Sequence, residues 1–155
     1  YFFAALLTEK LMMSIILFLI FAVAAFNIVS TLVMVVTDKR SDIAILRTLG
    51  ASPGSVMSIF MVQGTTIGIV GTLLGVIGGV LLAFNVEAIV AAIEGLFDVH
   101  FLDPNIYYIS QMPSDVRAGD VVRVALGAFL MSLVATLYPA WRAARTDPAE
   151  ALRYE

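Results

Sequence analysis

The sequence contains few residues that could perform catalysis or bind a metal ion. His100 is the only histidine, and its acidic neighbours are Asp98 and Asp103. A zinc site needs several suitably arranged nitrogen, sulfur or oxygen ligands, and the chain has no cysteine. A serine–histidine–aspartate triad depends on mutual placement, and nothing in the spacing indicates one. We therefore expect no catalytic, metal-binding or cofactor-binding site, and we interpret His100 as a surface side chain.

Nucleotide hydrolysis by this chain is not expected either. P-loop ATPases hold phosphates in a glycine-rich loop followed by lysine and serine or threonine, and the sequence has no such loop. The net charge is −3, which does not indicate a nucleic-acid partner, because proteins that bind nucleic acid usually carry a basic patch. If the protein performs ATP-driven work, we expect ATP and magnesium to bind to another subunit.

Composition indicates which solvent surrounds the chain. Hydrophobic residues make up 61% of the 155 residues and charged residues 14%, with a mean hydropathy of +0.99. Soluble domains are about half apolar and about a quarter charged. A chain of this length cannot bury so much apolar surface, because a small globule leaves a large share of its surface exposed. We predict an all-α integral membrane protein.

Three long apolar segments are predicted to cross the membrane as helices, namely residues 11–36, 53–84 and 121–139. The first has no charged residue and would extend about 39 Å at ~1.5 Å per residue, more than a hydrocarbon core of about 30 Å. Ser52 and Pro53 form a start signal for the second, because serine can cap free amides and proline suits the first helical position.

The basic residues near the ends of these helices predict the orientation. Residues 37–52 and 140–155 contain Lys39, Arg40, Arg47, Arg142, Arg145 and Arg153. The other side has only Lys10, Arg117 and Arg123. Because loops rich in lysine and arginine stay in the cytoplasm, residues 37–52 and the C-terminal tail at 140–155 are predicted to be cytoplasmic.

The remaining segments, residues 1–10 and 85–120, then lie on the outer side of the membrane. The longer one begins with an amphipathic stretch and continues as a loop with strand-like composition at residues 106–109. We expect it to form a small cap that has no core of its own. The chain begins without an initiator methionine, and we expect further residues upstream.

Small and polar residues inside the predicted spans indicate helix packing. Gly64 and Gly68, like Gly71 and Gly75, are spaced four residues apart. In lipid such glycines let helices approach closely, although glycine is also simply common in membrane helices. Asn27 lies near the middle of the first span, where an unpaired amide is costly. We expect it to make an interhelical hydrogen bond or, alternatively, to line a substrate path.

The loop between the first two spans has the most informative pattern. Its first half is charged and its second half apolar, and Gly50 is a suitable helix C-cap. Ile43, Leu46 and Leu49 are predicted to lie roughly on one face of a short helix. Such a helix fits either a groove on another protein or the surface of the lipid, and the pattern leaves both open.

The loop contains Asp38-Lys39-Arg40, followed by the stretch from Asp42 to Ala51. In these residues it resembles the cytoplasmic loop of the MacB-related FtsX-like permeases and is most similar to the LolC/LolE type. Further similar stretches are residues 9–13, 24–30, 60–64, 103–113, 138–144 and 148–153. The resemblance covers essentially all 155 residues.

The resemblance implies the last three helices of a four-helix permease, with a large periplasmic domain upstream. It implies a bacterial inner-membrane complex with a second LolC/LolE-like subunit, as a hetero- or homodimer, and a separate LolD-like ATPase. That complex would extract lipoproteins from the outer leaflet and pass them to a LolA-like chaperone docked on the missing periplasmic domain. Residues 1–10 would end the periplasmic stalk, and the fragment's N-terminus would be periplasmic.

The resemblance also implies roles for particular residues. Those expected to couple to the ATPase are Asp38, Lys39, Arg40, Asp42, Ile43, Leu46, Arg47, Leu49 and Gly50. The apolar, adaptable residues Met12, Met13, Ile16 and Ile20 could contact lipoprotein acyl chains or simply face lipid. Two other functions stay open at this point: an FtsX-like mechanotransmitter that controls a periplasmic hydrolase, and a MacB-like efflux permease.

Overall fold

The computed structural model describes residues 2–97, 116–151 and 153 of the chain. Within these residues the chain is helical, and no strand occurs. The elements are α1 (Phe2–Asp38), α2 (Arg40–Thr48), α3 (Pro53–Phe84), α4 (Val86–Phe97), α5 (Ala118–Ala144) and α6 (Pro148–Ala151). Three of them, α1, α3 and α5, are long and apolar enough to cross a membrane. The predicted all-α fold with three membrane-spanning helices is confirmed.

Two of these long helices extend beyond the predicted spans. α1 begins at Phe2 rather than near residue 11, and α5 continues past Pro139 to Ala144. Proline has no N–H to donate to the preceding turn, but inside α5 Pro139 is buried and the helix continues through it. The predicted strand-like residues 106–109 and His100 lie outside the described residues.

The predicted caps around the short connection from α2 to α3 are confirmed. The Ser55 backbone N–H donates to Ser52 Oγ at 3.2 Å, and Pro53 is the first residue of α3. Gly50 has a φ of 103°, a conformation that residues with a side chain rarely adopt. The Gly50 N–H donates to the Arg47 carbonyl, and the Ala51 N–H donates to the Leu46 carbonyl. These two hydrogen bonds cap the C-terminal end of α2.

The described residues form two compact units. One contains residues 71–126, which include the second part of α3, all of α4 and the first part of α5. Between α3 and α4, the Asn85 side chain donates to the Leu81 carbonyl at 2.8 Å. In α4, Ile89, Ile93 and Leu96 are exposed. This helix therefore presents an apolar surface within the segment that was predicted to be amphipathic.

The other unit contains residues 1–70 and 127–155 and has a core at one end of its long helices. The core residues come from α1, α2, α3 and α5, and they are Val36, Ile43, Val56, Phe60, Ala140 and Ala143. The short helix α2 therefore packs against the ends of three long helices, and α6 packs against α2.

Candidate partner-binding surface on α2

One face of α2 is anchored in the protein. Ile43 and Ala44 are 4% and 0% exposed, and Arg47 on the next turn is half-buried. These residues are spaced by one, three and four positions, which places them on one side of a helix. The buried Ile43 lies in the core beside Ala140 and Ala143 of α5. Burial of this face holds α2 against the ends of the long helices.

The opposite face of α2 is exposed and largely apolar. Asp42, Ile45 and Leu46 belong to α2, and Leu49 is the C-cap residue directly after it. These four residues follow the spacing i, i+3, i+4 and i+7, so they lie side by side. Ile45 and Leu46 are 47% and 42% exposed, and Leu49 is 80% exposed. We name these four residues the free face of α2. An exposed apolar face is suited to packing against another molecule when the opposite face of the helix is buried in the protein.

The structure separates the three residues that were predicted to share one face. Ile43 is buried, whereas Leu46 and Leu49 are exposed. Residues three apart are about 300° apart around a helix, so two such steps move Leu49 about 120° away from Ile43. The prediction of one shared face was therefore wrong, and Ile43 contacts its own chain.

Arg47 also contacts its own chain, at the C-terminal end of α5. Its Nη1 atom donates to the Thr146 carbonyl at 2.6 Å and to the Ala144 carbonyl at 3.4 Å. The last carbonyl groups of a helix have no partner within the helix and carry a partial negative charge. The guanidinium of Arg47 supplies both a donor and a positive charge at this point.

The remaining charged residues that were predicted to couple to an ATPase are exposed at the start of α2. Asp38 ends α1, and Arg40 begins α2. Lys39 Nζ lies 3.0 Å from Asp42 Oδ2, with both side chains exposed. An exposed pair of this kind contributes at most about 0.5 kcal/mol to stability, so these charges are available to a partner.

The predicted glycine contacts differ along α3. A Cβ atom on Gly64 would overlap the side chain of Thr136, and one on Gly68 would lie 2.6 Å from Ser132 Oγ. Both glycines therefore lie directly against α5. At Gly71 and Gly75, by contrast, an added Cβ would meet no atom of the described residues within 4 Å. For these two glycines, close packing stays a prediction.

The polar and apolar residues singled out on α1 are exposed. Asn27 is exposed, and its side chain makes no hydrogen bond to the part of the chain that the structure describes. The residues predicted to contact acyl chains are all more than half exposed, and they are Met12, Met13, Ile16 and Ile20. Their spacing places them on the same side of α1 as Asn27. Both roles remain predictions, because an exposed face suits either lipid or a partner.

The sequence of this bundle matches a known family over most of its length. The family described as FtsX-like permease C-terminal matches residues 14–148, which include α2 and most of the three long helices. The chain belongs to the FtsX-like permeases.

The sequence predicted that this permease domain has no metal site. Its only histidine, His100, lies outside the described residues. Among the residues that the structure describes, no three or more potential metal ligands form a group.

Individual relatives place this permease domain in the LolC/LolE type. It is 58% identical over 99% of its length to the lipoprotein-releasing system transmembrane protein LolC of Xylella fastidiosa (strain 9a5c). The LolC protein of Neisseria meningitidis serogroup B is also 58% identical over 99% of the chain. The LolE protein of Haemophilus influenzae is 41% identical over 92% of the chain. The chain spans only 37% of each of these LolC proteins and 34% of LolE.

Three residues of this permease domain were not predicted from the sequence. Two of them contact the glycines of α3, and the third is exposed on α2. Ser132 and Thr136 face the glycines of α3, and Ile45 belongs to the free face of α2. A signal for the first two exists, because they are four residues apart, as are Gly64 and Gly68. Small residues at matching spacing on two membrane helices indicate a close crossing.

Proposed function

We propose that this chain is the C-terminal membrane region of a LolC/LolE-type permease subunit. Its complex uses ATP hydrolysis to extract lipoproteins from the outer leaflet of the bacterial inner membrane and to pass them to a periplasmic chaperone. The names of the relatives support this proposal, since both LolC and LolE are described as transmembrane proteins of a lipoprotein-releasing system.

The observation that carries the proposal is the arrangement of α2. Its free face presents Ile45, Leu46 and Leu49 outward, while Ile43 on the other side is buried among the ends of α1, α3 and α5. A partner that binds the free face can therefore displace the long helices rather than only a loop. A LolD-like ATPase, which would bind ATP and magnesium, is the partner that we assign to this face.

The other parts of the complex follow from the same proposal. The free face and the C-terminal tail lie in the cytoplasm, in agreement with the excess of lysine and arginine there. A second LolC/LolE-like subunit packs beside this one in the membrane and encloses the lipoprotein. A LolA-like chaperone receives the lipoprotein at a periplasmic region that lies outside this chain.

Two other functions would use a similar coupling helix. An FtsX-like mechanotransmitter would bind an ATPase without transporting a substrate, and a MacB-like permease would export a small molecule or toxin. The names of the relatives favour lipoprotein release over both. The distinguishing property is an ATP-dependent movement of lipoprotein.

Reconstitution tests the proposal directly. The full-length permease, its partner permease and its ATPase are placed in proteoliposomes that contain a triacylated lipoprotein, with the soluble chaperone outside. We expect lipoprotein to appear on the chaperone with ATP and not with a non-hydrolysable analogue. An intact complex that hydrolyses ATP yet leaves all the lipoprotein in the membrane would refute lipoprotein release.

A further inference from the structure

The short helix α2 is joined in sequence to α1 and α3, yet its polar contacts reach α5. Arg47 Nη1 lies 2.6 Å from the Thr146 carbonyl oxygen and 3.4 Å from that of Ala144. Nearly one hundred residues separate the two sides of this contact along the chain. Ile43, one turn earlier on α2, packs in the same core as Ala143 of α5. Two neighbouring side chains therefore hold α2 to the last membrane-spanning helix.

The far side of this contact is itself ordered by local bonds. Ala144 is the last residue of α5, and the Thr146 N–H donates to the Ala143 carbonyl at 3.2 Å. Thr146 is only 5% exposed. Asp147 Oδ1 then accepts the Ala149 N–H at 2.9 Å and caps α6. Arg47 thus binds a defined turn between α5 and α6, and its charge suits a helix C-terminus.

We infer that Arg47 is a positioning residue that joins α2 to the end of α5, so that the two move as one body. The inference rests on the proposed function, in which an ATPase displaces α2 through its free face. Because Gly64 of α3 lies against Thr136 of α5, a displacement of α5 also moves α3. Arg47 therefore passes the movement of α2 to the membrane helices instead of binding the ATPase.

Arginine is suited to this role more than lysine. Two hydrogens on one nitrogen reach two carbonyl groups, and the planar guanidinium stays charged when it is partly buried. Lysine carries a positive charge on a compact ammonium, which can reach one of the carbonyl groups without the same geometry. A lysine at this position should therefore restore part of the function that alanine removes.

The first test measures coupling in the complete complex. Arg47→Ala, Arg47→Lys and Arg142→Ala are introduced into the full-length permease, since Arg142 is an exposed arginine at the same end of α5. We expect Arg47→Ala to bind the ATPase normally and to release about tenfold less lipoprotein per ATP hydrolysed, from the loss of a charge-assisted hydrogen bond. Arg47→Lys should give an intermediate ratio, and Arg142→Ala the wild-type ratio.

The second test measures whether α2 and α5 move together and needs no lipoprotein. Thr48 is an exposed position at the end of α2, Arg142 is an exposed position on α5, and the 155 residues contain no cysteine. Nitroxide labels on Thr48→Cys and Arg142→Cys should keep one narrow separation in the nucleotide-free and vanadate-trapped complex. Adding Arg47→Ala should broaden that separation. If that variant does not fold, Arg47→Lys takes its place, with a smaller broadening expected.

The outcomes separate the two proposals. Absence of release from the wild-type complex refutes lipoprotein transport, whereas the label separation still reports on Arg47. Wild-type release per ATP in Arg47→Ala, or a label separation that this substitution leaves unchanged, overturns the inference about Arg47 alone. Loss of ATPase binding in Arg47→Ala also overturns it, because Arg47 would then belong to the ATPase contact.

Discussion

Gly64 of α3 lies so close to Thr136 of α5 that no side chain fits between the two helices. A Cβ atom on Gly64 would overlap Thr136 at its Cβ, Oγ1 and Cγ2 atoms. Thr136 cannot turn away easily, because it is branched at Cβ and its hydroxyl donates to the Ser132 carbonyl at 2.8 Å. Close backbone approach therefore holds α3 and α5 together, as expected where lipid provides no hydrophobic driving force between helices.

Replacement of this glycine should destabilise the protein. We expect Gly64→Ala to lower the free energy of unfolding by about 1–3 kcal/mol, since the added methyl group forces the two helices apart. Gly71→Ala is the matched control on the same helix, because a Cβ there meets no atom of the described residues within 4 Å. Alanine favours helix over glycine by up to ~1 kcal/mol, so the control should be neutral or stabilising.

Thermal unfolding in detergent, followed by circular dichroism, checks this pair of variants. Equal losses of stability in Gly64→Ala and Gly71→Ala would contradict the close contact between α3 and α5. In the double variant Gly64→Ala/Thr136→Gly, the methyl group added on α3 occupies the space that the Thr136 side chain leaves on α5. Part of the stability lost in Gly64→Ala should then be recovered.

The hydroxyl groups of Ser132 and Thr136 should have opposite effects when they are removed. Ser132 Oγ is buried and has no hydrogen-bond partner among the described residues, whereas Thr136 Oγ1 is bonded. We expect Ser132→Ala to raise the free energy of unfolding by about 1 kcal/mol, since an unpaired polar group is removed. Thr136→Val should lower it by about 1 kcal/mol. Unfolding measurements that give both changes the same sign would contradict this assignment.

An acidic residue should have different effects on the two faces of α2. Ile43→Asp places a carboxylate in a core position that is 4% exposed, so we expect little folded protein. Leu49 is 80% exposed, and Leu49→Asp should fold normally while the amount of co-purified ATPase falls about tenfold or more. Size-exclusion chromatography and quantitative co-purification measure the two properties. Normal ATPase binding by a folded Leu49→Asp protein would remove Leu49 from the contact.

Local signals were sufficient to locate some elements from the sequence. α3 begins at Pro53, where Ser52 and Pro53 predicted a start, and ends at Phe84 as expected. For α1, the charge-free segment predicted the part of the helix that crosses the hydrocarbon region and did not predict where the helix begins. The helix extends towards the N-terminus through Glu9 and Lys10, which are good helix formers and need no lipid.

Contacts between distant segments could not be predicted in the same way. No local pattern indicates that Arg47 binds the carbonyl of Thr146, because the residues are far apart in sequence and the acceptor belongs to the backbone. The sequence pattern also did not predict which face of α2 is buried and which is exposed. Isoleucine and leucine are equally apolar, and tertiary packing decides that Ile43 is buried while Leu49 is exposed.

We propose that the free face of α2 lies in the cytoplasm and binds the ATPase. Labelling of Leu49→Cys with a membrane-impermeant maleimide, in the full-length protein without other cysteines, tests both parts of this proposal. We expect rapid labelling in inverted membrane vesicles, protection from the label when the ATPase is bound, and no labelling in right-side-out vesicles. Labelling in right-side-out vesicles would place α2 on the side of the membrane that the ATPase cannot reach and would contradict the claim.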